Sequence, residues 1–296
     1  MRLLLALFIV GLSGCRFWYR PVPVANAVGE EKTVLAGDTV HVYRENRFEV
    51  YGPSPEAVYD GYEQLSRSYR AFQRYFGTST AKLAFVLFRD SVEHLDPETL
   101  RGFRNRGFIV VEYARPRSVR SRRRYSAIEY GGVGWPIAPS AARAMLLRFA
   151  ETEAQAQRAD PVLLERFPAW YRAAVVHLVG EAEAFASDLE FVREKRQHWW
   201  AFRELLTLVR PAAGDSLLDP TRRPEADEQL RIFAAQSSTL GRYLVEREGP
   251  TVLARLGREY VAGRGLNAML GDFRNAPRTI PELEQRWKNW IETQEN

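Results

Sequence analysis

The hydrophobic pattern of this chain changes near residue 140, and this change constrains the fold more than any other feature. Before it, short apolar runs alternate or continue at strand length, as in "TVHVY", "RFEVYG", "KLAFVLF" and "GFIVVEYA". After it, helical patterns cover residues 140–158, 161–185, 188–209, 225–248, 250–262 and 280–293. Strands followed by helices are typical of the α+β class. We therefore expect a mostly antiparallel sheet with one or two helices, followed by a helical C-terminal part.

One strong helix is predicted among the strands. Ser54 can cap its start and Pro55 suits its first turn. Apolar or aromatic residues then follow at steps of four and three, at Val58, Tyr62, Leu65, Tyr69, Phe72 and Phe76. Gly77 is expected to end the helix. One face of this helix should therefore be buried against the sheet.

The first fifteen residues predict export from the cytoplasm. Arg2 precedes an unbroken apolar run of ten residues, 3–12, which is too short to span a bilayer and typical of a signal peptide. The run ends in "LSGC", which contains Cys15, the only cysteine of the chain. This ending resembles the lipobox of bacterial lipoproteins, and the resemblance implies cleavage after residue 14 and lipid attachment at Cys15. An ordinary cleaved signal peptide is the alternative.

Export would leave a tethered domain that depends on core packing, because one cysteine can form no internal disulfide. The expected divisions are a signal peptide at 1–14, the lipidated cysteine and a tether at 15–38, and a single domain at 39–296, with a sheet-rich part at 39–139 and a helical part at 140–296. Arginine follows Cys15 where aspartate would mark the inner membrane. By resemblance to the usual lipoprotein sorting pattern, we expect a periplasm-facing anchor in the outer membrane.

An arginine-rich segment is the most unusual predicted surface feature. Its six arginines lie within ten residues, at Arg115, Arg117, Arg120, Arg122, Arg123 and Arg124. Burying them unpaired would be prohibitive, so they should form an exposed tip between predicted strands 107–114 and 124–132. The tip could bind lipid headgroups, an acidic envelope polymer or an acidic partner protein. Alternatively, it is solvated and has no specific partner. Nucleic acid is not expected, because the interleaved aromatic residues of a strand-binding groove are missing.

Three stretches resemble, in order, the gluzincin-type metallopeptidases of the peptidase MA-like group. They are "PEAVYDGYEQLSRSYRAFQRYFG", "FPAWYRAAVV", and "STLGRYLVEREGPTVLARL" followed by "IPELEQRWKNW". The resemblance runs from about residue 40 to 293, and it implies a thermolysin-like domain with a zinc site built from two consecutive helices. In the family the middle stretch is similar to L-P-x-W-L-x-E-G-x-A.

The zinc ligands that this resemblance implies are absent from the sequence. A gluzincin site needs H-E-x-x-H on one helix and a glutamate on the next. Whether "RFAET" or "ETEAQ" is aligned with the motif, no histidine is present, and alanine replaces the glutamate. The degenerate site positions are Arg148, Glu151, Thr152, Glu153, Gln155 and Ala173. We therefore expect no catalytic residue, no bound metal and no cofactor.

The four histidines do not restore the motif. They are His41, His94, His177 and His198. A relocated metal site could use His177 with Glu181, which is four residues further on. It could equally use Glu194 with His198 at the same spacing. Such helical pairs are more often solvent-facing polar neighbours, so we expect no metal at either.

Two further features of the helical part have a structural interpretation. Glu151 and Glu153 could act as an acid/base pair without metal, but residues two apart on a helix face different directions. We therefore expect them to be solvated charges. Trp170, at the start of a predicted helix, is expected to pack in the core as part of an inherited scaffold. No G-x-S-x-G, P-loop or dinucleotide-binding motif is present.

The sequence thus predicts a membrane-anchored bacterial lipoprotein with a catalytically inactive metallopeptidase-like domain. We expect it to bind a polypeptide or an anionic envelope component through the old cleft and the arginine-rich tip. Two alternatives stay open. One is a hydrolase with a non-standard site, and the other is a structural component of an envelope assembly.

Overall fold

The computed structural model describes residues 31–77, 81–88, 94–114, 137–155, 161–180, 185–208, 223–275 and 277–294. The predicted signal peptide, Cys15, the six arginines of residues 115–124 and the predicted strand at 124–132 lie outside the described residues. None of the helices in the described part of the chain combines the length and the apolar character needed to cross a bilayer.

Five strands form one mixed sheet in the order β1-β2-β3-β4-β5. They are β1 (Glu31–Leu35), β2 (Asp38–Arg44), β3 (Phe48–Gly52), β4 (Lys82–Phe88) and β5 (Phe108–Ala114). β1, β2 and β3 pair antiparallel, whereas β3, β4 and β5 pair parallel. The predicted α+β class is confirmed, and so is the central position of β4. However, the sheet is mixed rather than mostly antiparallel, and it begins at Glu31, inside the predicted tether.

Two helical crossovers explain why half of the sheet is parallel. Helix α1 (Pro55–Phe76) connects β3 to β4, and helix α2 (Pro97–Asn105) connects β4 to β5. A strand that is reached through a helical crossover runs parallel to the strand before it. Helix α2 is the second of the one or two helices expected in this part, but the sequence analysis does not give its position. Its signal was present, because Asp96 caps the helix and accepts hydrogen bonds from the backbone N–H groups of Glu98 and Thr99, both at 2.9 Å.

Helix α1 has the bounds and the buried face that the sequence predicts. Ser54 Oγ accepts a hydrogen bond from the backbone N–H of Ala57 at 3.3 Å, and Gly77 ends the helix with φ +79°. The buried apolar side chains are Val58, Leu65, Tyr69, Phe72 and Tyr75. They pack on the sheet face that carries Phe85 and Leu87, in the main core.

The opposite sheet face carries a smaller core that holds α2. Glu49 of β3 is buried there and accepts hydrogen bonds from both terminal nitrogens of Arg106, at 2.8 and 3.1 Å. The Tyr51 hydroxyl donates to the same carboxylate at 2.6 Å. The Arg106 guanidinium also lies 4.8 Å from the ring centroid of Phe103 on α2. This bidentate ion pair ties the end of α2 to the sheet.

The C-terminal part of the chain is helical, as predicted. Its helices are α3 (Ile137–Glu153), α4 (Ala169–Gly180), α5 (Phe185–Glu194), α6 (Phe202–Thr207), α7 (Arg223–Glu248), α8 (Val252–Val261), α9 (Leu266–Met269) and α10 (Ile280–Thr293). Short 3₁₀ turns lie at Pro161–Arg166, Arg196–His198 and Leu270–Asp272. The predicted helix at 280–293 matches α10 at both ends.

Two predicted helices are interrupted in the structure. The prediction at 161–185 becomes a 3₁₀ turn and α4, separated at Pro168, because proline disfavours helical backbone at the residue before it. The prediction at 188–209 divides into α5, a 3₁₀ turn and α6. The chain is extended at Trp199, whose indole N–H donates to the Val192 carbonyl at 2.7 Å and whose ring packs 5.1 Å from that of Trp287. Tertiary packing of the indole therefore overrides helix propensity there.

Candidate functional site

The positions at which the sequence resemblance implies zinc ligands lie on helices α3 and α4 or just beyond the end of α3, and the two helices pack antiparallel. At one end they touch closely, since a Cβ at Gly180 would lie 3.0 Å from the backbone of Ala138. Toward the other end, Gly257 of α8 is pressed against both helices. A Cβ there would lie 2.7 Å from the Phe149 ring and 2.6 Å from the Tyr171 hydroxyl. The contact of Gly180 with Ala138 and the contacts of Gly257 with Phe149 and Tyr171 determine which turns of α3 and α4 face each other.

This register places three of the predicted positions along one edge. Ala173 lies two helical turns before Gly180 and therefore on the α4 face that meets α3. Arg148 and Thr152 lie in the last two turns of α3, near Phe149, which meets Gly257 together with Tyr171 from the first turn of α4. A longer side chain at position 173 would lean toward them, because side chains tilt toward the N-terminus of their helix. We call Arg148, Thr152 and Ala173 the α3–α4 edge.

The end of α3 affects the two alignments with the gluzincin motif differently. Helix α3 ends at Glu153, and Gln155 lies beyond it with a left-handed φ of +52°. The alignment on "ETEAQ" therefore has its last position outside the helix. The alignment on "RFAET" keeps both ligand positions on one helical face, and Thr152 Oγ1 donates to the Arg148 carbonyl at 2.9 Å.

An ion pair occupies the first ligand position. The Arg148 guanidinium bonds to Glu151 Oε2 at 2.8 Å, with the Glu151 side chain 2% exposed and that of Arg148 41% exposed. The prediction that Glu151 is a solvated charge is therefore wrong. A buried carboxylate is tolerated here because its neighbour one turn earlier neutralises it. The other oxygen of Glu151, Oε1, has no hydrogen-bond partner among the residues that the structure describes.

Glu153 lies apart from Glu151, as the helical spacing predicts. Its side chain is 29% exposed, and one carboxylate oxygen lies 3.8 Å from the Arg258 guanidinium of α8. The two glutamates therefore have different cationic neighbours and cannot share a proton. The acid/base pair that the sequence left open is not formed.

A histidine–carboxylate pair lies on the same face of α4 as Ala173. His177, one turn after Ala173, has its Nδ1 3.0 Å from Oδ2 of Asp188 on α5. The side chains of His177 and Asp188 are 20% and 16% exposed, so the pair is half-buried rather than solvent-facing. The sequence offered no sign of Asp188, because the two residues are eleven positions apart on separate helices.

Only one of the two histidine–glutamate pairs lies wholly within the described residues. Glu181 lies outside them, so its pairing with His177 stays untested. His198 lies in a 3₁₀ turn after α5 ends at Glu194, so that pair lacks the helical geometry that its spacing suggested. Within the described ranges, no group of three or more His, Cys, Asp or Glu side chains is close enough to hold a metal ion.

His41 and His94 lie in the sheet-rich part of the molecule. His41 is part of β2, where it pairs across the ladder with Gly52 of β3. His94 precedes α2, and its exposed ring lies 3.8 Å from Glu112 of β5.

The aromatic start of α4 packs inside the protein, as predicted for Trp170. Trp170 and Tyr171 have no exposed surface. The Tyr171 hydroxyl donates to the Leu253 carbonyl at 2.6 Å, and its ring centroid lies 5.3 Å from that of Tyr260. Burial raises the pKa values of both tyrosines, so they stay neutral at physiological pH and cannot serve as bases. The "FPAWY" sequence is therefore explained by packing alone.

The α3–α4 edge thus offers a methyl group, a hydroxyl and a guanidinium that is already paired. Such a surface can make hydrogen bonds and apolar contacts, but it lacks a set of converging ligands. Comparison with known proteins identifies no family for the chain, since no family model, no curated protein and no solved structure matches it.

Proposed function

We propose that this chain is a lipid-anchored, non-catalytic binding protein of the bacterial cell envelope. Its domain is similar to that of gluzincin-type metallopeptidases, and it binds a polypeptide or an anionic envelope component. The binding surface consists of the α3–α4 edge and the arginine-rich segment at residues 115–124. The anchor is the lipidated Cys15.

The observation that carries the proposal is the ion pair between Arg148 and the buried Glu151. Zinc needs imidazole, thiolate or carboxylate ligands that converge on one point. The guanidinium of Arg148 has no lone pair to offer a metal ion, and the methyl group of Ala173 cannot coordinate one. The helix pair is nevertheless tightly packed, as the close approach at Gly180 requires. A helix pair that is well packed but has no metal-coordinating side chain at positions 148 and 173 can still present a surface to a partner. We therefore favour a binding function.

Metal analysis of the purified full-length protein tests the non-catalytic part of the proposal. We expect zinc and other transition metals well below one atom per chain, and no peptidase activity that chelation removes. Stoichiometric metal, lost together with a measurable activity on chelation, would contradict the proposal.

Replacement of Arg120, Arg122, Arg123 and Arg124 by glutamine tests the binding part. We expect co-purifying partners, or association with acidic polymer, to be lost from native membranes. The matched control replaces four exposed arginines elsewhere, namely Arg101, Arg104, Arg203 and Arg278. If partner capture is unchanged in the first variant, a structural role in an envelope assembly becomes the better explanation.

The lipid anchor has its own test. The Cys15→Ser variant should be unacylated and should leave the membrane fraction, because the thiol is the acceptor of the lipid. Wild-type protein from the same cells serves as the control. A variant that still fractionates with membranes would show that the anchor is not at Cys15.

The pair of His177 and Asp188 favours a second candidate function, a hydrolase with a non-standard site. A carboxylate at 3.0 Å from Nδ1 orients an imidazole, as in acyl-transfer enzymes where the other ring nitrogen acts as a base. If this function is correct, wild-type protein hydrolyses peptide or ester substrates and His177→Gln abolishes the activity, while Asp188→Asn lowers it. Failure of the wild-type protein to hydrolyse either class of substrate would eliminate the candidate.

A further inference from the structure

A pocket of about 310 Å³ lies between α7 and α10, at a different place from the α3–α4 edge. Its walls include Tyr243, Arg247, Asn275, Arg286, Asn289 and Trp290. This volume is at the lower end of the range for small-molecule sites. We call it the α7–α10 pocket.

Two buried aromatic rings form a rigid floor for the pocket. Tyr243 and Trp290 are 1% and 4% exposed, and their ring centroids lie 5.7 Å apart in an edge-on arrangement. The indole N–H of Trp290 donates to Glu246 Oε2 at 3.0 Å, which fixes the ring. These contacts fix the two rings that the helices contribute, whereas Asn275 lies in the segment before α10.

The guanidinium of Arg247 is the unpaired charge of this pocket. Its carbon Cζ lies 5.7 Å from the ring centroid of Tyr243, and the residue is exposed. Among the described residues, no carboxylate lies within ion-pair distance of Arg247. An external anion would therefore meet a cation that the protein itself has not neutralised.

The acidic residues beside Arg247 in the sequence are engaged with other groups. Glu246 accepts from Arg242 at 2.9 Å. Glu248, whose side chain is 2% exposed, pairs with Arg255 at 3.0 Å. Because both neighbouring glutamates bond to other arginines, Arg247 is available to bind an external anion.

A second cation lies on the facing helix. Arg286 of α10 bonds to Glu282 at 2.6 Å, so its charge is largely balanced. Burial raises the pKa of the Tyr243 hydroxyl, and the Arg247 and Arg286 cations oppose that rise. The Glu282 carboxylate acts on the same hydroxyl in the opposite sense and offsets the charge of Arg286. Arg247 is therefore the main cation that an anion in this pocket would meet.

Two amides complete the polar lining. Asn289 accepts a hydrogen bond from Gln285 through Oδ1 at 3.0 Å, so its NH₂ group is left to donate. Asn275 is held by its own backbone N–H, which donates to Glu248 at 2.5 Å, and by its Nδ2, which donates to the Arg247 carbonyl at 3.0 Å. Its Oδ1 is then left to accept. Such a set suits a ligand with an anionic group and at least one hydroxyl.

We propose that the α7–α10 pocket binds a small hydroxylated ligand that carries a carboxylate or a phosphate group. Arg247 binds the anionic group, and Asn275 and Asn289 bind the hydroxyls. In the cell envelope the shared chemistry is found in acidic sugars and in glycerol phosphate units. This site does not depend on the binding function proposed for the α3–α4 edge.

Calorimetric titration of the full-length protein in detergent tests the proposal, with D-glucuronate and glycerol 3-phosphate as separate probes and glycerol as the uncharged control. We expect one saturable site for at least one of the two anions, and none for glycerol. The probe that binds identifies the source of the anion. Arg247→Gln should weaken binding at least tenfold. Arg203→Gln, which removes an exposed arginine on α6, should change it less than twofold.

Comparing Arg247→Lys with Arg247→Gln distinguishes a loss of ligand binding from a loss of folding. Arg247→Lys keeps the charge without the planar fork, so it should weaken binding less than Arg247→Gln does. Both variants should unfold at the wild-type temperature, because Arg247 is exposed. The proposal is overturned if neither anion binds saturably, or if Arg203→Gln weakens binding as much as Arg247→Gln.

Discussion

The α3–α4 edge and the α7–α10 pocket both carry an arginine on a helix surface, but they differ in how that charge is balanced. Arg148 on α3 bonds to Glu151, a carboxylate that is 98% buried by the adjoining helices. Arg247 on α7 has no such partner within the described ranges, and it lines a cavity of about 310 Å³. The first charge stabilises the protein internally, whereas the second is available to an external ligand.

This difference shows that residue type alone is a weak guide to a site. Arg148 and Arg247 are the same residue type on a helix surface. Only their neighbours distinguish a charge that is paired within the protein from one that can bind a ligand. Variants that break the Arg148–Glu151 ion pair should therefore act mainly on stability, whereas Thr152 and Ala173 remain available for the binding proposed for the α3–α4 edge. Variants in the α7–α10 pocket should act mainly on ligand binding.

The largest effect is expected from Trp170→Ala, beneath the α3–α4 edge. Its indole has no exposed surface, so the variant leaves a large cavity and should lower the free energy of unfolding by about 3–5 kcal/mol. Urea denaturation followed by circular dichroism measures the loss. Val162→Ala is the matched control, since Val162 is 61% exposed, and it should change stability by less than about 0.5 kcal/mol. A loss under about 1 kcal/mol for Trp170→Ala would show that the lead-in to α4 is not a packing element.

The next largest effect is expected from Arg148→Ala. The variant leaves the Glu151 carboxylate buried without its cation, and it should cost about 2–3 kcal/mol because Arg148 is partly exposed. Glu151→Leu in the same background should restore most of that stability, since it removes the buried charge. Arg247→Ala is the comparison in the α7–α10 pocket and should cost less than about 0.5 kcal/mol. If Arg148→Ala and Arg247→Ala lowered the free energy of unfolding equally, the α3–α4 edge and the α7–α10 pocket would not differ in how their arginines are balanced.

A smaller effect is expected where α3 and α4 touch. In Gly180→Ala the new Cβ would lie 3.0 Å from the backbone of Ala138, which cannot move without shifting α3. We expect a loss of about 1–2 kcal/mol in thermal or chemical denaturation. Gly271→Ala is the control, because a Cβ there meets no atom within 4 Å. A variant as stable as the wild type would mean that the helices are less tightly packed than described.

The smallest effect is expected from Tyr171→Phe, and it depends on pH. At neutral pH the variant loses the hydrogen bond to the Leu253 carbonyl and should cost about 1 kcal/mol. Burial raises the folded-state pKa of Tyr171, so its contribution is complete below the unfolded pKa of about 10 and falls as the pH rises further. The difference between wild type and variant should therefore narrow above pH 10 in denaturation curves. A constant difference from pH 7 to 11 would contradict this origin.

Local sequence signals were enough for much of the fold. Ser54, the spaced apolar residues and Gly77 defined α1 at both ends, and β4 was recognised from its continuous apolar run. The parallel half of the sheet was missed because α2 is short and its buried face is represented by Phe103 alone. Helix propensity also could not foresee the extended chain at Trp199, which follows from contacts with a helix almost ninety residues later.

The sites were less accessible to sequence reasoning than the fold. Ala173 and Arg148 were named from a motif resemblance, but the burial of Glu151 follows from packing between helices, which local spacing does not report. Asp188 and the α7–α10 pocket were missed for the same reason. The pocket combines Arg247 of α7 with Asn289 of α10, and nothing in either helix alone distinguishes these residues from solvated surface.

The most direct measurement is zinc binding by a variant that carries the ligands implied by the resemblance to gluzincins. It combines Arg148→His, Thr152→His and Ala173→Glu with Glu151→Gln, so that no buried carboxylate is left without a cation. The control omits Ala173→Glu. If α3 and α4 hold the positions of a former zinc site, calorimetry should give one zinc per chain with a dissociation constant below about 1 μM, and the control should bind at least tenfold more weakly. A folded variant that binds zinc no better than the wild type would contradict the metallopeptidase-like origin of this helix pair.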